Sequence, residues 1–160
     1  GITMPLLMRM SLENCHNLEE VKKIFSSNPR TCEYYYVFTD GKDKSAVGVY
    51  ALPERIEFIQ YGQKHERLKH SFKNCILMSS GERYDSLSEQ VRNAYSSINE
   101  EAAIQLMNSP VAMESNLHSV LFMPETLTFR VANASPLGPA FKNPFYTYTL
   151  DELIDNDWYK

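Results

Sequence analysis

The sequence contains no hydrophobic run long enough to cross a membrane. A membrane-spanning helix needs about 20 consecutive apolar residues, and no stretch of the 160 residues approaches that length. Positive charge is not in excess either, because 16 Lys and Arg stand against 20 Asp and Glu. This acidic balance argues against nucleic acid or an anionic membrane surface as the main partner.

Cysteine and the common catalytic motifs are also scarce. Cys15, Cys32 and Cys75 are odd in number and lack metal-ligand spacing, so no disulfide framework, zinc site or C-x-x-C redox motif is predicted. We expect each to be a small buried hydrophobic residue. Gly-rich phosphate loops, H-E-x-x-H, G-x-S-x-G and EF-hand patterns are absent, so no metal or cofactor is expected.

The length and composition suit one globular domain. A chain of 160 residues can bury a sizeable core but is too short for two comfortable domains, so we predict a single domain over residues 1–160. No signal peptide opens the sequence, although Gly1 stands where an initiator Met is expected. We read the sequence as a fragment, a processed subunit or a chain with the remnant of a tag.

Helical and β-prone segments come in blocks, which predicts an α+β fold with antiparallel sheet. Helical spacing and capping boxes (Asn17 with Glu20, Ser86 with Glu89) predict four helices, over 4–14, from Asn17 to about 25, from Asp85 to about 98, and 99–107. β-prone runs and turn residues predict a meander, a further strand, a hairpin and a last strand, over 31–39, 45–51 and 55–60, then 72–79, then 117–132, then 145–150. A terminal turn is predicted over 151–156.

A polar cluster stands at the entrance of the predicted hairpin. Ser115, Asn116 and His118 precede two β-prone runs that flank Met123-Pro124-Glu125-Thr126. They are candidates to bind substrate, and the alternative is that they form the polar mouth of a loop. For His118 a hydrogen-bonded structural role competes with a catalytic one. The Tyr34-Tyr35-Tyr36 run is read as the two faces of a strand instead of a substrate-binding box.

Four segments in this order resemble one known family. They are GITMPLLMRMSLENCHNLEEVKKIF, RTCEYYYVFTDGKDKSAVGVYALPERIEFI, FKNCILMSSGERYDSL and NLHSVLFMPETLTFRVA. Together they resemble the C-terminal part of the isopenicillin-N (acyl-CoA:6-aminopenicillanic acid) acyltransferase family of autoproteolytic N-terminal-nucleophile hydrolases. No single motif carries the resemblance, and it extends along most of the chain.

The resemblance implies a share of a four-layer αββα sandwich with two antiparallel sheets. It implies a Cys that becomes the first residue of a subunit after self-cleavage and attacks an amide or thioester carbonyl, with its own α-amino group as base. Gly1 has no nucleophilic side chain, and none of the three cysteines matches the nucleophile's position. The expected partners are therefore an upstream segment or subunit that carries this Cys and a small-molecule acyl substrate, and the isolated chain is expected to be inactive.

Two residues take a role from the resemblance. Asn74 in FKNCIL matches an Asn that opens a sheet strand and stabilises an oxyanion, a contribution of roughly 2.7–4 kcal/mol. Its alternative is to hold a turn at the strand end. Arg83 in SSGERYDSL falls where the family carries an Arg after a Ser-rich loop and is a candidate to bind substrate. Its alternative is an exposed Arg at a helix start.

Two other functions stay open at this stage. The chain could be a non-catalytic binding or accessory domain that keeps the sandwich fold without a nucleophile. It could also be a self-contained hydrolase that uses Cys75 and His118, which requires a thiol within hydrogen-bond reach of an imidazole.

Overall fold

A computed structural model describes residues 1–155 and divides the chain into two units, Gly1–Ser80 and the residues from Gly81 onward. Each unit combines helices with one antiparallel three-stranded sheet, which confirms the predicted α+β class. Among the described residues, no helix has both the length and the apolar character needed to cross a bilayer.

The first unit consists of two helices followed by a meander. Its elements are α1 (Met4–Asn14), α2 (Leu18–Ser27), β1 (Tyr34–Asp40), β2 (Ser45–Ala51) and β3 (Ile56–Ile59), with sheet order β1-β2-β3. The pair Asn17 and Glu20 predicted to cap α2 is present, with the second bond shifted by one residue from that of a standard capping box. The Asn17 side chain accepts a hydrogen bond from the Glu20 N–H at 3.0 Å, and the Glu20 carboxylate accepts one from the His16 N–H at 2.7 Å.

The helices pack on one face of this sheet. Phe25 of α2 contacts Tyr36 and Phe38 of β1 edge to face, with ring centroids 5.0 and 5.3 Å apart. Met4 and Leu7 of α1 belong to the same buried cluster. Tyr35 points to the opposite face and stacks on Tyr50. The tyrosine run is thus divided between the two faces of a strand, as predicted.

The central strand β2 is buried on both faces. Val47, Val49 and Ala51 join the core beneath the helices. On the other face the chain beyond β3 lies so close to Gly48 that an added Cβ would be 2.8 Å from Ile76 Cγ2 and 2.8 Å from Met78 Sδ. A larger residue at this position would have to displace these side chains, so the close approach favours glycine.

The strand predicted over 72–79 is wrong. Phe72 and Cys75 form an isolated antiparallel bridge around a turn made by Lys73 and Asn74, and residues 76–80 make no ladder. Asn is a turn-forming residue because its side chain competes for backbone hydrogen bonds. The apolar residues Ile76 and Met78 cover β2 from its face and do not extend the sheet at its edge.

The second unit contains the predicted hairpin. Its elements are α3 (Gly81–Ala94), α4 (Glu100–Leu106), β4 (His118–Met123), β5 (Thr128–Asn133), a 3₁₀ turn (Ala140–Lys142), β6 (Tyr146–Thr149) and α5 (Leu150–Asp155). The sheet order is β4-β5-β6. One face carries the buried Ser119 and Ala132. The other carries a row of rings from the three strands, Phe122, Phe129 and Tyr148.

Two boundaries in this unit differ from the prediction. Helix α3 begins at Gly81, so Ser86 and Glu89 lie inside it and form no capping box. Its buried positions are Tyr84, Ser88 and Val91. Because Ser88 is polar, the pattern of apolar residues did not identify this buried face. The predicted terminal turn is helical up to Asp155, and its last residue, Asn156, lies outside the described residues.

Helix α5 begins with a capping box that the sequence contains. The Thr149 hydroxyl accepts a hydrogen bond from the Glu152 N–H at 3.3 Å, and the Glu152 carboxylate accepts one from the Thr149 N–H at 3.1 Å. This T-x-x-E pattern is a helix-start signal that the interpretation of a turn overlooked.

Candidate functional site

Asn74 lies at an exposed corner of the first unit. It is the second residue of the turn between Phe72 and Cys75, and its side chain has no hydrogen-bond partner among the described residues. Phe72 and Cys75 line a narrow cleft of about 10 Å³, which is room for about one water molecule. Asn74 itself is not among the residues that line the cleft. Its amide is an uncommitted donor in an exposed turn and not at the start of a strand.

The cysteines are less buried than predicted. Cys15 and Cys75 are half-buried, Cys32 is exposed, and all three are free thiols. Burial raises the pKa of Cys75, and burial together with the nearby Glu20 carboxylate raises the pKa of Cys15. Because the thiolate is the nucleophilic form, these environments oppose the activation of both thiols.

A polar network that the sequence did not reveal lies on the outer face of the first sheet. The fully buried Tyr50 donates its hydroxyl hydrogen to Glu33 Oε1 at 3.0 Å. Arg67 Nη1 contacts the same oxygen at 3.3 Å, and the guanidinium carbon of Arg67 lies 5.2 Å from the centroid of the Tyr50 ring. Burial, and next the hydrogen bond to Glu33, raise the pKa of Tyr50. The phenol therefore stays protonated at neutral pH.

A histidine extends this network. The side chain of His65 is 5% exposed, and its Nε2 lies 2.9 Å from Glu57 Oε2. The Arg67 N–H donates to His65 Nδ1 at 3.3 Å, so Nε2 carries the proton shared with Glu57. Arg55 Nε contacts the other Glu57 oxygen at 3.1 Å. Both ring nitrogens are occupied, which makes His65 a bridge between neighbouring segments.

The sequence holds only a weak signal for these residues. Glu33 precedes the tyrosine run and Tyr50 interrupts an otherwise aliphatic strand, but the partners Glu33 and Arg67 are 34 positions apart. Such pairing depends on how the chain folds back over the sheet.

Arg83 belongs to the second unit, near the start of α3. Its Nε donates to the backbone oxygen of Val111 at 2.6 Å, which fixes the segment after α4 to α3. The remaining guanidinium nitrogens have no partner among residues 1–155. They are the part of this side chain that could still contact a ligand.

The hairpin entrance is held by its own polar side chains. The Asn116 amide donates to the His118 backbone oxygen at 2.8 Å and accepts from the Ser119 hydroxyl at 2.9 Å. His118 Nδ1 donates to Asn133 Oδ1 at 2.7 Å, across the pair of residues that opens the β4–β5 ladder. Ser115 is exposed next to them. These contacts order the start of the sheet, and they occupy both polar groups of the Asn116 amide.

The predicted site residues are therefore divided between the units. Asn74 lies in the first, and the second holds Arg83, Ser115, Asn116 and His118. Within the described part of the chain, no group of three or more His, Cys, Asp or Glu side chains could hold a metal ion. The chemistry available is that of amide, guanidinium and hydroxyl groups, which bind and stabilise negative charge on oxygen.

Comparison with known proteins supplies the family. The family model described as acyl-coenzyme A:6-aminopenicillanic acid acyl-transferase matches residues 1–137. No curated protein and no solved structure gives a significant match. Because the match covers most of the 160 residues, the chain belongs to the acyl-coenzyme A:6-aminopenicillanic acid acyl-transferase family.

Proposed function

We propose that this chain is the C-terminal portion of a cysteine-dependent N-terminal-nucleophile amidohydrolase or acyltransferase that acts on an amide or thioester. The observation that carries the proposal is the family match over residues 1–137. In this proposal the chain contributes to a four-layer αββα sandwich as one domain of a larger catalytic unit. The two antiparallel sheets with helices are compatible with that architecture.

The attacking thiolate is proposed to come from a segment outside this sequence. The raised pKa of Cys15 and of Cys75 supports this, because a nucleophilic cysteine needs a lowered pKa or an adjacent base. In the family's mechanism an N-terminal Cys is activated by its own α-amino group. The same raised pKa argues against the alternative hydrolase that would use Cys75 with His118.

Asn74 is proposed to stabilise the oxyanion that forms when the thiolate attacks. Its amide N–H groups have no partner among the described residues, so they are available to a carbonyl oxygen that gains negative charge. Arg83 is proposed to bind the substrate through the guanidinium nitrogens that do not contact Val111. Contact with the substrate stays a prediction for Ser115, Asn116 and His118. The observed hydrogen bonds of Asn116 and His118 give these two residues a structural role.

The first test is the fate of the complete protein. We expect its expression to yield two polypeptides in a denaturing gel and in intact-mass spectra, with Cys at the new N-terminus. The product should hydrolyse or transfer the acyl group of an acyl-CoA thioester or a simple amide. A single uncleaved polypeptide that turns over neither substrate would contradict the proposal and favour a non-catalytic accessory domain.

The second test distinguishes a catalytic role of the Asn74 side chain from a role in the turn. In the complete protein, Asn74→Ala should lower kcat/KM by about 10²–10³-fold, as the loss of one oxyanion donor does. Lys73→Ala changes the other corner of the same turn and serves as the control, with kcat/KM expected within about twofold of the parent protein. Equal losses in both variants, or a matching loss of thermal stability in Asn74→Ala, would assign Asn74 to the turn alone.

A further inference from the structure

An open groove of about 310 Å³ runs along α4 in the second unit. Its walls come from α4 and the residues just after it, from Arg130 on β5, and from the 3₁₀ turn and the chain that follows it. A volume near 300 Å³ is the lower end of the range for small-molecule sites. The wall formed by residues 141–145 lies outside the part of the chain that matches the family model, whereas Arg130 and the α4 side of the groove lie within it.

The groove contains an under-satisfied cation. Only 24% of the Arg130 side chain is exposed, and its Nε is buried with no hydrogen-bond partner. Its Nη1 lies 3.7 Å from Glu100 Oε2 and 3.5 Å from Glu101 Oε1, whereas a charge-assisted hydrogen bond measures about 2.7–2.9 Å. Buried polar groups normally find close partners. Arg130 therefore lacks the close, planar acceptor that a guanidinium binds best.

Two side-chain amides on the groove wall present one donor and one acceptor. The Asn108 Nδ2 group donates to Gln105 Oε1 at 2.7 Å. This bond leaves Gln105 Nε2 and Asn108 Oδ1 without a partner among residues 1–155. A donor and an acceptor together match the C=O and the N–H of a secondary amide.

The remaining wall is apolar and partly aromatic. Its apolar residues are Ile104, Phe141, Pro144 and Phe145, and they stand with the polar Asn143, whose amide donates to the Asn133 backbone oxygen at 2.8 Å. A flat hydrocarbon group placed here would bury apolar surface and stack on the rings.

The geometry points to a binding site for a small carboxylate that also carries an amide and a flat apolar group, as in an N-aroyl amino acid. The carboxylate pairs with Arg130, the amide with Gln105 and Asn108, and the aryl group lies against Phe141 and Phe145. The Glu100 and Glu101 side chains are 54% and 74% exposed, so they can turn into water when the ligand replaces them at Arg130. The inference does not depend on the proposed function, because it concerns binding without turnover.

The test uses hippurate (N-benzoylglycine) as the probe, titrated into the full chain and followed by calorimetry or by chemical shifts. We expect saturable binding below about 10 mM, at least tenfold weaker binding of the neutral N-benzoylglycinamide, and at least tenfold weaker binding of hippurate to Arg130→Gln. Arg9→Gln, a change at an exposed arginine of the first unit, is the control and should leave the affinity unchanged.

Two further variants keep the inference open to refutation if Arg130→Gln does not fold. Asn108→Leu should weaken hippurate binding severalfold, and Glu101→Gln should strengthen it, because a carboxylate that competes for Arg130 has been removed. The inference is overturned if hippurate and its amide bind equally, if no saturation occurs below about 10 mM, or if Glu101→Gln weakens binding.

Discussion

Two buried tyrosines of the first unit differ in what their hydroxyl groups contact. The Tyr36 hydroxyl is buried with no hydrogen-bond partner, whereas the Tyr50 hydroxyl donates to Glu33 at 3.0 Å. A buried polar group without a partner carries a desolvation penalty of about 1–3 kcal/mol. The same chemical change should therefore have opposite consequences at the two positions.

We expect Tyr36→Phe to leave the free energy of unfolding unchanged or raise it, and Tyr50→Phe to lower it by about 0.5–1.5 kcal/mol. Each variant is the control for the other, because both remove one oxygen from a buried ring. Urea denaturation of the two proteins measures the difference. A larger loss for Tyr36→Phe than for Tyr50→Phe would contradict the hydrogen bonding described here.

Gly48 makes a second prediction at the residue scale. An added Cβ would approach Ile76 and Met78 to 2.8 Å, so Gly48→Ala should lower the free energy of unfolding by about 1–3 kcal/mol through overpacking. Shortening Met78 should relieve part of this strain. A double-mutant cycle of Gly48→Ala with Met78→Ala is expected to show a favourable coupling. Additive losses would mean that the chain after β3 does not rest on Gly48.

At the scale of elements, the helix starts are set by short polar signals. Asn17 caps α2 and Asn99 caps α4, each through a side-chain oxygen that accepts a backbone N–H. We expect Asn17→Ala to lower the free energy of unfolding by about 0.5–2 kcal/mol and Asn17→Gly by only a few tenths. Circular dichroism during thermal denaturation measures both. Equal losses would show that the side-chain bond contributes little.

The elements also show how far the sequence predicts the fold. The helices over 4–14 and 99–107 and both hairpins are local patterns, set by apolar spacing, caps and turn residues. The two helices and the β4–β5 hairpin were predicted within one residue at each end, whereas β1 begins at Tyr34 and not at residue 31. The structure of segment 72–79 was not predicted. Its apolar residues Ile76 and Met78 cover the face of a sheet, and a β-prone run has the same composition whether or not it pairs with another strand.

The candidate site was predicted to a smaller extent. Asn74 and Arg83 rest on the family resemblance, and the structure adds what each side chain contacts. The network around Tyr50 and the groove at Arg130 depend on residues that are distant in sequence, such as Glu33 with Arg67, and no local pattern announces them.

At the scale of the whole molecule, the titration of buried groups predicts how stability depends on pH. The pKa values of Cys15, Cys75, Tyr36 and Tyr50 are all raised, with burial as the first cause. Above the ordinary pKa of these groups the unfolded chain loses its protons first, so it binds fewer protons than the folded chain. The free energy of unfolding must then fall as the pH rises.

We therefore expect stability to decline from about pH 9, where free thiols ionise, and more steeply from about pH 10, where phenols ionise. Urea denaturation midpoints between pH 7 and 11 measure this decline. Tyr36→Phe should flatten the steeper part, because it removes a buried phenol whose pKa is raised. A free energy of unfolding that rises over this pH range would contradict the raised pKa values.

The position of β2 has a kinetic consequence. This strand is paired on both edges, with β1 and β3, and is covered on both faces, so its amide hydrogens leave their bonds only when the surrounding structure opens. After transfer into heavy water, the amide protons of residues 48–51, which face a partner strand on both sides, should be among the last in the first unit to be replaced by deuterium. Their exchange rate would then report the opening of that unit as a whole.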